Sequence, residues 1–286
     1  MTLRVVLLAA LAAMYVSQDA IAQRPAQTAS SVRELLQTAR RQSQGGDAAA
    51  ALVSLRTART LAPNSEEVLS AFVQAAIAAH TLGPAIATLD ALTRMCPTVA
   101  QYHYVLGVAL MEAGDVAAAL PSLEQANRLE PDRARTLLAL ALALNAGKQY
   151  AEAKAAAMKS VELDPESIDT TAALAEAEAG SGAVREAEEH ARRVLNAAPA
   201  HPTANLVVGI VLMQRERYAD ARDALEKAVA NNPASAAAHY QLSLAYARLG
   251  DDARSQQQVR LYQQQLREAE DRVKSLRAAA AGEKQP

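Results

Sequence analysis

Residues 101–132 read QYHYVLGVALMEAGDVAAALPSLEQANRLEPD, two runs of helix-forming residues with Gly114 between them and Pro131 near the end. A proline lacks an amide hydrogen and disfavours helical backbone in the residue before it, so Pro131 stops the second run and lets the chain turn. Outward from Pro131 the same residue recurs at Pro63, Pro97, Pro165, Pro199 and Pro233, and every interval is 34 residues. A fixed period of this length marks a solenoid, in which each unit buries its apolar face only against its neighbours.

Windows anchored on these prolines begin at Val32, Glu66, Ala100, Ala134, Ile168, Pro202 and Ala236. The eighth place is small in six windows (Ala39, Gly107, Ala141, Ala175, Gly209, Ser243) and Val73 in the other. The twentieth is Ala51, Ala85, Ala119, Ala153, Ala187 and Ala221, then Ser255. Small residues at two fixed places are what two closely crossing helices require. Glycines at the midpoints (Gly45, Gly46, Gly83, Gly114, Gly147, Gly180, Gly182, Gly250) are expected to supply left-handed caps to the first helices. The spacing of Ser31 to Glu34 and of Asn64 to Glu67 predicts capping boxes at first-helix entries, and Pro202 suits an early helical position. Pro121 is expected in the first turn of a second helix, where its missing amide hydrogen has no partner to lose.

A 34-residue helix-turn-helix unit with these small residues and a late proline resembles the tetratricopeptide repeat. The resemblance covers residues 32–269 and is fullest in the third window, with Leu106, Gly107, Gly114, Ala119, Leu123, Ala126 and Pro131 in register and His103 where the family often carries Trp. It implies an all-α fold, a right-handed α-solenoid of about seven repeats with a long C-terminal capping helix. Composition agrees: 51% of residues are apolar, yet only 3% are aromatic, with no Trp and one Phe, which suits alanine-rich helices better than sheets. The formal charge of -2, from 29 basic and 31 acidic residues, gives no electrostatic footprint for nucleic acid or an anionic membrane.

The N-terminus has a different character. Arg4, the apolar run Val5 to Val16 and the small residues around Ala20-Ile21-Ala22 read as a secretory signal peptide over residues 1–22, cleaved after Ala22. The run falls short of the roughly 18 to 20 apolar residues that span a bilayer, so an uncleaved anchor is the weaker alternative. A flexible linker is expected over residues 23–31. The mature chain is then exported, most simply periplasmic, without membrane insertion. Cys96 is the one cysteine, so no intramolecular disulfide forms, and its place before Pro97 reads as helix-end packing.

The sequence offers no chemistry. His80, His103, His190, His201 and His239 show no metal-ligand spacing, and no nucleophile elbow, phosphate loop or dinucleotide fingerprint is present. No catalytic, metal or cofactor residue is assigned, and the chain is not expected to be an enzyme. His103 and His239 share one repeat place, which argues for packing.

Binding is left, and the resemblance places it on the concave face lined by first helices. There the second, fifth, ninth, twelfth and thirteenth places share one helix face. The residues proposed for a protein-binding groove are Tyr104, Val108, Met111, Leu138, Leu142, Leu206, Ile210, Met213, Tyr240 and Leu244. Chaperone-binding relatives hold a carboxylate with Lys and Asn at the fifth and ninth places, and this chain has apolar residues there. The reading is an exported scaffold that holds a protein segment, peptide or helix, in an apolar groove and serves cell-envelope assembly or secretion. The alternatives are an apolar small ligand or glycan in the same groove, and a non-catalytic subunit of an envelope enzyme complex. Residues 252–281 carry a heptad-like stripe (Val259, Tyr262, Leu266, Ala269, Val273, Leu276, Ala280) and predict one long helix, with 270–286 as an extension and tail projecting as a solvating cap. A weak homodimer through this helix is its rival role.

Overall fold

The computed structural model describes residues 28–282, with side chains to residue 279. The signal peptide expected over residues 1–22 lies outside the described residues. Fourteen helices and no strand occur among the described residues. They are α1 (28–44), α2 (Ala48–Leu61), α3 (Glu66–Ala78), α4 (Leu82–Met95), α5 (Ala100–Ala113), α6 (Val116–Leu129), α7 (Ala134–Ala146), α8 (Tyr150–Leu163), α9 (Ile168–Gly180), α10 (Val184–Ala197), α11 (Pro202–Gln214), α12 (Tyr218–Asn231), α13 (Ala236–Arg248) and α14 (Asp252–Gly282). From the second window on, each first helix begins at the first residue of its window, and each repeat proline stands two residues beyond a second helix. The first window departs, because α1 already begins at residue 28. The expected linker therefore ends earlier, and Ser31 is a helical residue rather than a cap.

Local chemistry explains the boundaries. In four windows the residue before the window start caps the first helix: Ser65, Ser167 and Ser235 accept from the amides of Val68, Thr170 and Ala238, and His201 Nδ1 accepts from Ala204 at 3.3 Å. The cap of α3 is thus Ser65, one place after the Asn64 expected from sequence. Between the helices of every pair, the fifteenth place is left-handed: Gly46, His80, Gly114, Lys148, Gly182, Glu216 and Gly250 all have positive φ. Glycine adopts this conformation freely, while the three side chains there hold it against a steric cost of about 1 kcal/mol each. The other midpoint glycines do not serve this purpose; Gly147, for one, has φ -79°. Asp47, Asp115 and Asp251 follow the left-handed residue and cap the second helices of their windows. Pro121 is the sixth residue of α6, beyond the first turn, so it removes a ladder bond to Ala117 on the exposed side of the helix.

The chain forms two compact units, divided between Leu92 and Thr93 inside α4. In the first, Leu36, Leu52, Leu55, Val68 and Phe72 pack around Ala39, Ala51, Ala58, Ala76 and Ala85, and the Arg59 guanidinium stacks 4.4 Å from the centre of the fully buried Phe72 ring.

The second unit holds α5 to α14. Its cores run from one helix pair to the next, centred on Leu123, Leu140, Leu144 and Leu174, then Val194, Val207 and Val211, then Leu225, Leu242 and Tyr246. The eighth and twenty-fourth places are matched in volume: Gly107 faces Leu123 and Gly209 faces Leu225, whereas Ala141 and Ala175 go with Ala157 and Ala191. A Cβ on Gly107 would lie 2.5 Å from Leu123 Cγ, so that approach requires glycine. A second device recurs at the fourth place. His103 Nε2, Asn205 Nδ2 and His239 Nε2 donate to the carbonyls of Pro97, Pro199 and Pro233 at 3.0, 3.1 and 2.9 Å, satisfying the backbone oxygen of each preceding repeat proline.

First helices α5, α7, α9, α11 and α13 pack on one another in order, whereas α6, α8, α10 and α12 do not touch one another. A layer whose first helices meet while its second helices spread is curved, with the first helices inside. Helix α14, 31 residues and so about 45 Å long, packs on α13 and reaches back to α5 without approaching α7, α9 or α11. Its far end is held by Arg277, whose Nε and Nη2 donate to Asp115 Oδ2 at 2.9 and 2.6 Å, while Ala269 and Val273 lie beside Gly114. The expected projecting cap is thus a tie between the last repeat and the third.

Candidate binding groove

The inner face of the second unit is built from five helices that present the same places. Along its middle runs the ninth place: Val108, Leu142, Glu176, Ile210 and Leu244. Val108, Leu142 and Leu244 are 37%, 39% and 37% exposed, and Ile210 is half-buried. Tyr104, Met111 and Leu138 flank the row half-buried on the core of the third to fifth windows, and Met213 does the same on the core of the sixth and seventh. Tyr240 is exposed but shares its ring with the C-terminal helix, 5.5 Å from the ring of Tyr262. Leu206 is not part of the face: only 6% exposed, it belongs to the core of the sixth and seventh windows, with Leu225 of α12 and Leu242 of α13.

Polar groups line one edge. Arg135 donates to Gln101 at 2.7 Å, one repeat away, and lies 5.1 Å from the centre of the Tyr104 ring. Asp169 lies 3.3 Å from His201. All five histidines have structural places: His80 in a left-handed turn, His201 as a cap, His103 and His239 on proline carbonyls, and His190 2.7 Å from the buried Glu178, which also has Lys154 at 3.8 Å.

The residue that the groove assignment omits is Glu176. It occupies the ninth place of the fifth window, where its neighbours in the row are Leu142 and Ile210. Part of its surface stays exposed, yet its carboxyl is crowded by protein, and burial alone raises its pKa from 4.5 to about 7. Beside it Asn145 is 5% exposed; its Nδ2 donates to Ala173 O at 2.8 Å and stands 3.5 Å from Glu176 Oε2, while its Oδ1 is buried without a partner. The signal was present in the frame itself, as the one charged residue in the row.

Among the described residues no helix is long and apolar enough to cross a membrane, and no group of three His, Cys, Asp or Glu is placed to hold a metal ion.

No curated protein matches the sequence. Among solved structures, a tetratricopeptide repeat protein from Parabacteroides merdae superposes with a TM-score of 0.68 at 15% identity, over 86% of this chain and 99% of that one. A chain of the Cut9–Hcn1 hetero-tetramer of the APC/C superposes with a TM-score of 0.56 at 15% identity, over 74% of this chain and 42% of that one. These likenesses are of fold. The tetratricopeptide repeat model matches residues 71–126, 104–168, 172–226 and 208–259, well over half of the chain. With its period, its paired helices and its curved layer of first helices, the chain belongs to the tetratricopeptide repeat family.

Proposed function

We propose that the protein is a non-catalytic scaffold that binds a segment of a partner protein on the inner face of its second unit, and that it does so in the periplasm in the service of cell-envelope assembly or secretion. One observation carries the binding reading: Val108 and Leu142 stand more than a third exposed on adjacent first helices, on a face that α14 leaves uncovered at α7, α9 and α11. Apolar side chains held in a row at solvent are a surface on which an extended or helical segment can bury its own. Tyr104, Met111 and Leu138 widen the strip, and Met adds adaptability. Export rests on the sequence of residues 1–22 alone.

The test places a photo-crosslinking residue at Met111 in the full chain in its own cell envelope, with and without Val108→Glu and Leu142→Glu. A protein crosslink that both substitutions abolish, with helicity unchanged by circular dichroism, is the expected result. Crosslinking that survives them excludes this face as the contact, and a small co-purified mass in native mass spectrometry would instead favour a carrier of an apolar ligand. Fractionation of the same cells reports the compartment.

A further inference from the structure

The inner face contains two features that an apolar partner segment leaves unsatisfied. Glu176 presents a carboxyl between Leu142 and Ile210 in the row, and Asn145 Oδ1 is a buried acceptor with no donor. The Asn145 amide cannot turn to relieve this without losing its 2.8 Å bond to Ala173 O. The two side chains are neighbours: Asn145 Nδ2 donates toward Glu176 Oε2 at 3.5 Å and holds the carboxyl from one side, while Asn145 Oδ1 is closed off from solvent. No cation of the chain is ion-paired with Glu176 among the described residues. The charged groups on the helices around it are engaged elsewhere. Arg135 on α7 bonds Gln101, Asp169 on α9 faces His201, Glu178 on α9 is paired with His190 and with Lys154 of α8, and Arg215 beyond α11 pairs with Glu188 of α10.

We propose that Glu176 and Asn145 form a cation-accepting subsite within the apolar inner face, and that it takes the ammonium group of a lysine side chain in an otherwise apolar partner segment. The inference rests on the reading of this face as a protein-binding surface and names what that surface selects. A lysine ammonium brings N–H donors and one positive charge to the carboxylate that Asn145 Nδ2 holds from one side, and its four-carbon stem lies along the apolar row. Burial raises the Glu176 pKa to about 7, so the empty site is about half protonated at neutral pH and keeps its proton below it. When the ammonium docks, the carboxyl ionises and its proton goes to solvent, which leaves an ion pair where a neutral, desolvated carboxyl stood. Binding therefore weakens about tenfold per pH unit below about 7 and levels off above it.

The test uses n-hexylammonium chloride as the probe and n-hexanol as its neutral counterpart, added to the full chain with carbon-13-labelled glutamate and followed by NMR. The expected result is saturable binding of hexylammonium at roughly millimolar concentration, in keeping with so small a ligand, a fall of the Glu176 titration midpoint on saturation, and about tenfold weaker binding to Glu176→Gln. Asn145→Ala, which keeps the carboxyl, should weaken binding several-fold. Equal affinity for hexanol, an unmoved Glu176 midpoint, or no binding of hexylammonium up to about 50 mM overturns the subsite. The crosslinking result with Val108→Glu and Leu142→Glu stands apart from these outcomes, so the loss of this subsite and the loss of the protein-binding face are told apart.

Discussion

Glu176→Gln should convert a pH-dependent stability into a flat one, and the size of the change follows from where the carboxyl sits. Its pKa is about 7 in the folded chain against 4.5 when solvated, with burial as the cause. Below about pH 4.5 the group is protonated in folded and unfolded chains alike, and wild type and variant differ little. From there to about pH 7 the unfolded chain releases the proton and the folded chain retains it. The unfolded state then binds fewer protons, so wild-type stability falls as pH rises, and the whole loss is in place above about pH 7. An interval of about 2.5 pH units at about 1.4 kcal/mol each gives about 3.5 kcal/mol. A neutral Gln carries no such penalty, and its amide oxygen can still accept from Asn145 Nδ2. Urea unfolding followed by far-ultraviolet circular dichroism should therefore show the variant as the more stable protein at about pH 8, with the advantage fading toward about pH 5. Other carboxylates titrate over the same range but cancel in the difference. A difference that stays constant across that range, or that grows toward acid, refutes the account of a desolvated, un-ionised carboxyl.

Gly107→Ala should destabilise by about 1–2 kcal/mol, because overpacking against Leu123, with Cγ 2.5 Å from the new Cβ, outweighs the gain of about 1 kcal/mol in helix propensity. Adding Leu123→Ala recreates the pairing of Ala141 with Ala157, so a double-mutant cycle in urea should show coupling above about 0.5 kcal/mol, and additive effects would refute the volume match. Deleting residues 270–286 removes the Arg277 contact with Asp115, and amide exchange should quicken at the α5–α6 turn while light scattering reports an unchanged mass. A dimer that becomes a monomer on deletion would assign α14 to self-association instead.

The frame was legible because its markers are chemical necessities that repeat. A proline ends each second helix, a small residue lies at each crossing, and four of the seven left-handed turns are glycine. The other three turns, at His80, Lys148 and Glu216, were not legible, since nothing in those residue types asks for positive φ and only their place in the frame imposes it. The tie from Arg277 to Asp115 joins residues 162 apart in sequence, and a heptad-like stripe cannot say what its far end will meet. Nine of the ten proposed groove residues keep some exposure. Leu206 does not, and the reason lies in its neighbours rather than in itself.

Helix α9 explains Glu176. Ala172, Ala173, Ala175, Ala177 and Ala179 are all buried on it, so α7 and α11 pack more closely on α9 than α5 does on α7 or α13 on α11. Where the first helices lie that close, Ala172 at the fifth place is buried, while Tyr240 at the same place in the last repeat remains 45% exposed; Leu206 is buried against α12 and α13 instead. The same approach withdraws water from the ninth place of the central repeat, and the residue there is a glutamate. An alanine-rich helix has thus turned an ordinary surface acid into a buried one without placing a counter-charge beside it. A row of apolar residues alone would hold any greasy segment; a desolvated carboxyl at its centre favours one that carries a cation at the matching place.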